Sequence, residues 1–110
     1  KFNLIVNWIT INSEQQLIDL LSSQKPFAVF KHSTRCSISS MVKNRLERDW
    51  TSDEAVYYLD LIAHRNISNL IAQKSGVEHE SPQLIVFKEG KAIYDASHTS
   101  ISASDTMGLL

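Results

Sequence analysis

One cysteine stands among 110 residues, alongside three glycines, two prolines and a formal net charge of −1. Each scarcity removes a class of protein. A lone cysteine excludes an internal disulfide and a multi-cysteine zinc or iron–sulfur site built from one chain, so thiol chemistry is intermolecular or absent. The near-zero charge argues against partners held by a basic field, such as nucleic acid or an anionic membrane. No apolar stretch approaches the roughly 20 residues that span a bilayer. The opening Lys1–Asn7 lacks the apolar centre of a signal peptide, and the chain begins without methionine, which leaves room for an upstream segment. The residues present fit a cytoplasmic protein. So few glycines give little support for a hydrolase nucleophile elbow, and no phosphate-cradling loop is found.

With 43% apolar residues, a chain this long buries roughly two-thirds of its unfolded surface and supports one core, hence one domain over residues 1–110. Trp8-Ile9-Thr10-Ile11 reads as a strand. Ser13 and Gln16 can satisfy backbone donors at a helix start, with Leu17, Leu20 and Leu21 at helical spacing and Pro26 beyond the end. Phe27-Ala28-Val29-Phe30 suits a strand covered on both faces. After Lys31-His32-Ser33-Thr34-Arg35 comes Cys36, and then Ile38, Met41, Val42 and Leu46 form the apolar face of a helix of about three turns. A strand over 55–61 precedes a helix through Ile67, Leu70 and Ile71 that ends at Gly76. Leu84–Phe87 and Ala92–Tyr94 flank Lys88-Glu89-Gly90-Lys91, a tight hairpin, and residues 102–110 close with a short helix. The order β-α-β-α-β-α-β-β-α predicts an α/β fold. It resembles the thioredoxin fold: three layers, with a central mixed five-stranded sheet and helices on both faces. By that analogy the strands lie side by side as 8–11, 55–61, 27–31, 84–87 and 92–95.

Cys36 thus opens a helix after a buried strand, where unpaired N–H groups and the positive end of the helix dipole favour a thiolate. Arg35, Lys31 or a protonated His32 nearby would act the same way, and the polar neighbours Ser33, Thr34, Arg35 and Ser37 make a merely buried structural cysteine less attractive. Ser39 holds the place where a dithiol protein has its second cysteine. An adduct on Cys36 therefore needs an external thiol for its release. The Ser39 hydroxyl, three residues along the helix, is placed to bond the Cys36 sulfur. Ser81-Pro82 before a strand is by itself only a terminator lacking a donor. His32, His64, His79 and His98 lack the paired spacing of a helical metal site, so no metal is expected. Lys43, Arg45 and Arg48 alternate with Glu47 and Asp49 as a solvated helix face, and Trp8 and Trp50 pack at element ends.

Lys31 to Ser39, with Val77-Glu78-His79-Glu80-Ser81-Pro82-Gln83 and the strand leading to Lys88-Glu89-Gly90-Lys91, resembles the monothiol bacilliredoxin C family over nearly the whole chain. Asn66-Ile67-Ser68-Asn69 and Ala96-Ser97-His98 add to the likeness. The resemblance implies removal of bacillithiol from protein mixed disulfides, with the adduct taken onto Cys36. It implies a cis Pro82 facing the nucleophile, the Ser81 backbone left to pair with an extended ligand, and Ser39 at the resolving position. Where family members often have proline or glycine after the cysteine this chain has Ser37, and Thr99-Ser100 replaces an aromatic–acidic pair. Phe30 stands where thioredoxins often carry a buried acid, so no buried proton acceptor is expected behind the site. The implied partners are proteins carrying mixed disulfides and a low-molecular-weight thiol as co-substrate, with no tightly bound cofactor, no nucleic acid, no membrane and a monomeric state. Two other readings compete: a noncatalytic binding module that uses the groove near Pro82, and a carrier of an iron–sulfur cluster shared between two chains as in monothiol glutaredoxins.

Overall fold

The computed structural model describes residues 6–110. Of the opening stretch read as lacking a signal-peptide centre, Lys1–Ile5 lies outside the described residues. The elements run β1 (Asn7–Thr10), α1 (Glu14–Leu21), β2 (Phe27–His32), α2 (Ser37–Asp49), β3 (Ala55–Asp60), α3 (Arg65–Ser75), β4 (Gln83–Lys88) and β5 (Lys91–Ser97). A 3-10 turn (His98–Ser100), not foreseen from the sequence, and α4 (Ala103–Met107) complete the chain. Strands lie in the order β1-β3-β2-β4-β5, as expected. β1, β3 and β2 are parallel, while β4 runs antiparallel to β2, and β5 to β4.

Alternation along the strands divides the core into two layers. Ala28 and Phe30 of β2, Val56 of β3 and Leu84 and Val86 of β4 pack against Val42 and Leu46 of α2, Trp50, Ile101 and Ala103. The intervening Phe27, Val29, Leu59, Ile85 and Phe87 pack on the opposite side with Ile11, Leu17 of α1 and Ile67 and Ile71 of α3. β2 is buried along its whole length, which is why Phe27–Phe30 reads as a continuous apolar run rather than an alternating one.

Local chemistry sets the ends. Ser13 Oγ accepts the Gln16 N–H at the start of α1, while Gln16 reaches back to the Asn12 N–H. Gly76 closes α3 in the left-handed conformation at φ 72, which glycine adopts without steric cost. The hairpin turn needs positive φ at both Glu89 and Gly90, and a Cβ on Gly90 would lie 3.2 Å from the Leu21 carbonyl oxygen. β3 ends where Asp60 Oδ1 accepts the N–H groups of Ile62 and Ala63.

The apolar face of α2 is narrower than expected. Val42 and Leu46 are buried, but Ile38 and Met41 are 45% and 47% exposed. The helix meets the sheet along Ser39, Val42 and Leu46, so Ile38 and Met41 flank that contact near Cys36 rather than forming it. Nor is its basic face wholly solvated. The Arg45 guanidinium donates to the carbonyls of Thr99 and Ile101 at 2.8 and 2.7 Å, clasping the segment before α4.

Candidate functional site

β2 and β4 bring the site together. Because they are antiparallel, the end of β2 at Lys31 pairs with the beginning of β4 at Gln83, so Pro82 and the residues leading to Cys36 leave the sheet at the same end of these two strands. The Ser81–Pro82 peptide is cis. Pro82 is buried, and its carbonyl accepts the His98 N–H at 2.9 Å. His98 has φ 55, and its Nε2 lies 3.4 Å from Glu80 Oε1, so the end of β5 holds both sides of the Ser81–Pro82 step. Ser81 Oγ is buried without a partner, and its peptide N–H and C=O have no backbone partner among the described residues.

Cys36 is the N-cap residue of α2, extended at φ −112 and ψ 118. Its N–H bonds the Ser33 carbonyl at 3.2 Å, and its own carbonyl accepts the Ser40 N–H. The side chain makes no capping bond, and the thiol is free and half-buried. By helix geometry the N–H groups of Ser37, Ile38 and Ser39 lack intrahelical acceptors. Arg35 and Ser37, on either side of the thiol, are exposed.

Ser39 departs from expectation. Its hydroxyl lies 2.7 Å from His32 Nδ1 and accepts the Ser33 N–H at 3.1 Å, with no hydrogen bond to the Cys36 sulfur. The reason is the pleat. His32 follows Phe30 by two residues, so both side chains leave β2 on the face covered by α2, and Ser39 is the α2 residue packed there. The His32 ring lies between Phe30 and Tyr58, with centroids 5.8 and 5.5 Å away. Burial first and the Lys43 ammonium second pull its pKa below the ordinary histidine value, with Asp60 pulling the other way. A buried proton acceptor therefore does stand behind the cysteine helix, two residues beyond Phe30.

Lys31 is the other correction. One residue out of step with Phe30 and His32, it lies on the face opposite α2 and cannot act as an immediate neighbour of Cys36. It is fully buried, its Nζ has no partner, and burial followed by the Arg65 charge pushes its pKa down to about 8. The same alternation was the signal available in the sequence to separate His32 from Lys31.

Sequence reasoning also missed the polar brace beside His32. Trp8 Nε1 donates to Glu47 Oε2 at 2.8 Å, Lys43 Nζ lies 3.0 Å from the same oxygen, and the ammonium sits 5.0 Å from the Trp8 ring centroid. Among the described residues no three of His, Cys, Asp and Glu converge as metal ligands, and no helix is long and apolar enough to cross a membrane.

Comparison with known proteins bears on this arrangement. The model of the family described as monothiol bacilliredoxin BrxC matches residues 9–106. Among solved structures, a thioredoxin-fold protein described as a proposed oxidoreductase is 30% identical, with TM-score 0.80 and coverage of 93% of this chain and 92% of that one. A thioredoxin of Malassezia sympodialis is 19% identical, with TM-score 0.70 over 98% of this chain and 90% of its own. A variant thioredoxin of Halobacterium salinarum is 14% identical, with TM-score 0.71 over 94% and 87%. The last two carry the fold alone.

Proposed function

The chain belongs to the monothiol bacilliredoxin BrxC family and has a thioredoxin-like redox function, and from that membership we propose that it removes a low-molecular-weight thiol, bacillithiol, from protein mixed disulfides through Cys36. The observation that carries this reading is Cys36 itself: the only sulfhydryl of the chain, unbonded, at the start of a thirteen-residue helix, with a serine, Ser39, three residues after it.

The chemistry balances on one sulfur. The Cys36 thiolate attacks the small-thiol sulfur of the mixed disulfide, the target protein leaves as its thiolate, and Cys36 carries the adduct. An external thiolate then attacks the outer sulfur of that adduct, forming a small disulfide and returning Cys36 as thiolate. Helix-start N–H groups suit a sulfur that must be both nucleophile and leaving group, since each role passes through the anion. Ser81 supports the reading through peptide groups left to pair with an extended chain beside Pro82. Arg35 and Ser37 flank the approach. On this proposal the protein works as a monomer in the cytoplasm, without a tightly bound cofactor, on partners that carry mixed disulfides.

A target protein carrying bacillithiol on a single cysteine tests it. Incubation with the reduced chain should release the target thiol and add one bacillithiol mass to the Cys36 peptide, and Cys36→Ser should do neither. Parallel targets carrying glutathione or coenzyme A show which small thiol is preferred. Release by Cys36→Ser at the wild-type rate, or no release from any target, overturns the proposal.

A further inference from the structure

The hydrogens of the buried His32–Ser39 pair can be assigned. A serine hydroxyl has one hydrogen and two acceptor positions. The Ser33 N–H occupies one acceptor position of Ser39. If His32 Nδ1 carried the hydrogen of the 2.7 Å contact, the Ser39 hydrogen would be left without an acceptor in a fully buried place, at a cost of about 1–3 kcal/mol. Nδ1 is therefore the acceptor, Nε2 carries the ring hydrogen, and Ser39 gives its only hydrogen to His32. The hydroxyl can then offer the Cys36 side of the helix a lone pair and nothing else. While the ring is neutral, it can accept from a thiol and cannot donate to a thiolate, the reverse of what a serine at this position would do alone.

We propose that Cys36 and His32 exchange a proton through Ser39. Ser39 Oγ takes the hydrogen of the Cys36 thiol while passing its own to His32 Nδ1, which leaves a thiolate, an intact hydroxyl and an imidazolium. The reverse step returns the proton when Cys36 departs from a mixed disulfide. Positions i and i+3 adjoin on a helix. Sγ and Oγ are not hydrogen-bonded in the resting geometry, so the step requires the sulfur to move to the hydroxyl. His32 is thus a positioning residue, acting on the sulfur only by way of the serine.

Burial first, and then the charges around the ring, set its resting state. Lys43 on α2 opposes the imidazolium, Asp60 on β3 favours it, and Tyr58 on β3 and Phe30 on β2 supply the ring's apolar flanks. Burial and Lys43 favour the uncharged ring at rest, so the imidazolium forms only while a negative charge stands on the sulfur. A negative charge left on the Cys36 sulfur favours the protonated ring, so on this proposal proton uptake by His32 depends on the state of that sulfur.

The inference rests on Cys36 being the reactive thiol, but its test needs no mixed-disulfide target, so a chain that failed to transfer bacillithiol could still pass it. In the wild-type chain, the His32 ring is titrated by NMR with Cys36 reduced and again with Cys36 capped by iodoacetamide. Capping should lower the His32 midpoint by about half a unit, roughly threefold in proton affinity. Identical midpoints overturn the proposal. Alkylation rates at pH 7 give the second arm. His32→Asn retains a carbonyl acceptor for Ser39 but takes up no proton, and should slow alkylation about threefold. In a Ser39→Ala background the same change should have no further effect. An equal loss in both backgrounds assigns His32 another route and overturns the relay. Near-ultraviolet circular dichroism checks the fold of each variant, and if a variant does not fold the wild-type titration decides.

Discussion

Lys31 on β2 stands directly opposite Gln83 on β4, and within this buried pair neither Lys31 Nζ nor Gln83 Oε1 has a hydrogen-bond partner. Gln83 spends its amide on the Glu78 carbonyl at 2.9 Å, fixing the approach to Ser81 and Pro82, and leaves its oxygen idle. A buried ammonium without an anion costs several kcal/mol unless it releases its proton.

Lys31 should therefore govern stability at alkaline pH. Its folded pKa is lowered to about 8, chiefly by burial and then by Arg65, while the unfolded chain holds that proton to about 10.4. Between these values the unfolded state binds more protons, so stability rises with pH across the window. Lys31→Met should be more stable than wild type at pH 7 by about 1–3 kcal/mol, with the gap closing towards pH 10. Urea midpoints for both chains across that range measure it.

Ser39→Cys should convert the site from one sulfur to two. The new thiol would lie at i+3 from Cys36 and against His32 Nδ1, which is 2.7 Å from Ser39 Oγ in wild type. Oxidation should then close a disulfide within the chain, seen as loss of both free thiols without dimerisation. Release of an adduct should proceed without added thiol. An adduct that persists in this variant would show that the two positions do not meet.

The Glu47 carboxyl predicts an acid-side loss. Burial pushes its pKa up, but hydrogen bonds from Lys43 and Trp8 and the Lys43 charge outweigh that and leave it below the usual glutamate value. A depressed carboxyl contributes stability above its unfolded pKa of about 4.3 and loses it as pH falls through the folded value. Since a third of the side chain is exposed, Glu47→Gln should cost only about 0.5–1 kcal/mol at pH 7. The difference should vanish in acid, below the folded pKa. Thermal denaturation of both chains from pH 7 downward reads this.

Arg45→Ala should loosen the end of the chain. Losing two charge-assisted bonds to Thr99 and Ile101 carbonyls should cost about 1–3 kcal/mol, reduced where water replaces them. Amide hydrogens of α4 should exchange faster, with those of β2 slowed or quickened only through global stability.

Much of this was legible in the residues. Short apolar runs and helical spacing separated strands from helices, and the cysteine after Phe27–Phe30 could be placed at a helix start because the polar stretch after the strand marked where it left the sheet. The spatial strand order came from likeness to a fold, since pairing partners far apart in sequence leave no local mark. What escaped was facing. Lys31 and His32 are neighbours in the chain and on opposite faces of the sheet, yet both read as polar residues beside a cysteine. Arg45 escaped because its acceptors are backbone carbonyls 54 and 56 residues away, and any sequence offers carbonyls there.

A chain with one sulfur also differs from a two-sulfur relative in what its equilibrium measures. When one small disulfide oxidises a dithiol protein, two small thiols are released, so the balance depends on the square of the thiol concentration and shifts with dilution of the whole pool. With Cys36 alone, one small disulfide enters and one small thiol leaves, and the concentration units cancel. The fraction of chains carrying an adduct then follows the ratio of disulfide to thiol and is indifferent to the pool's size. Such a protein would keep its set point in a cell that is starved of small thiol or rich in it.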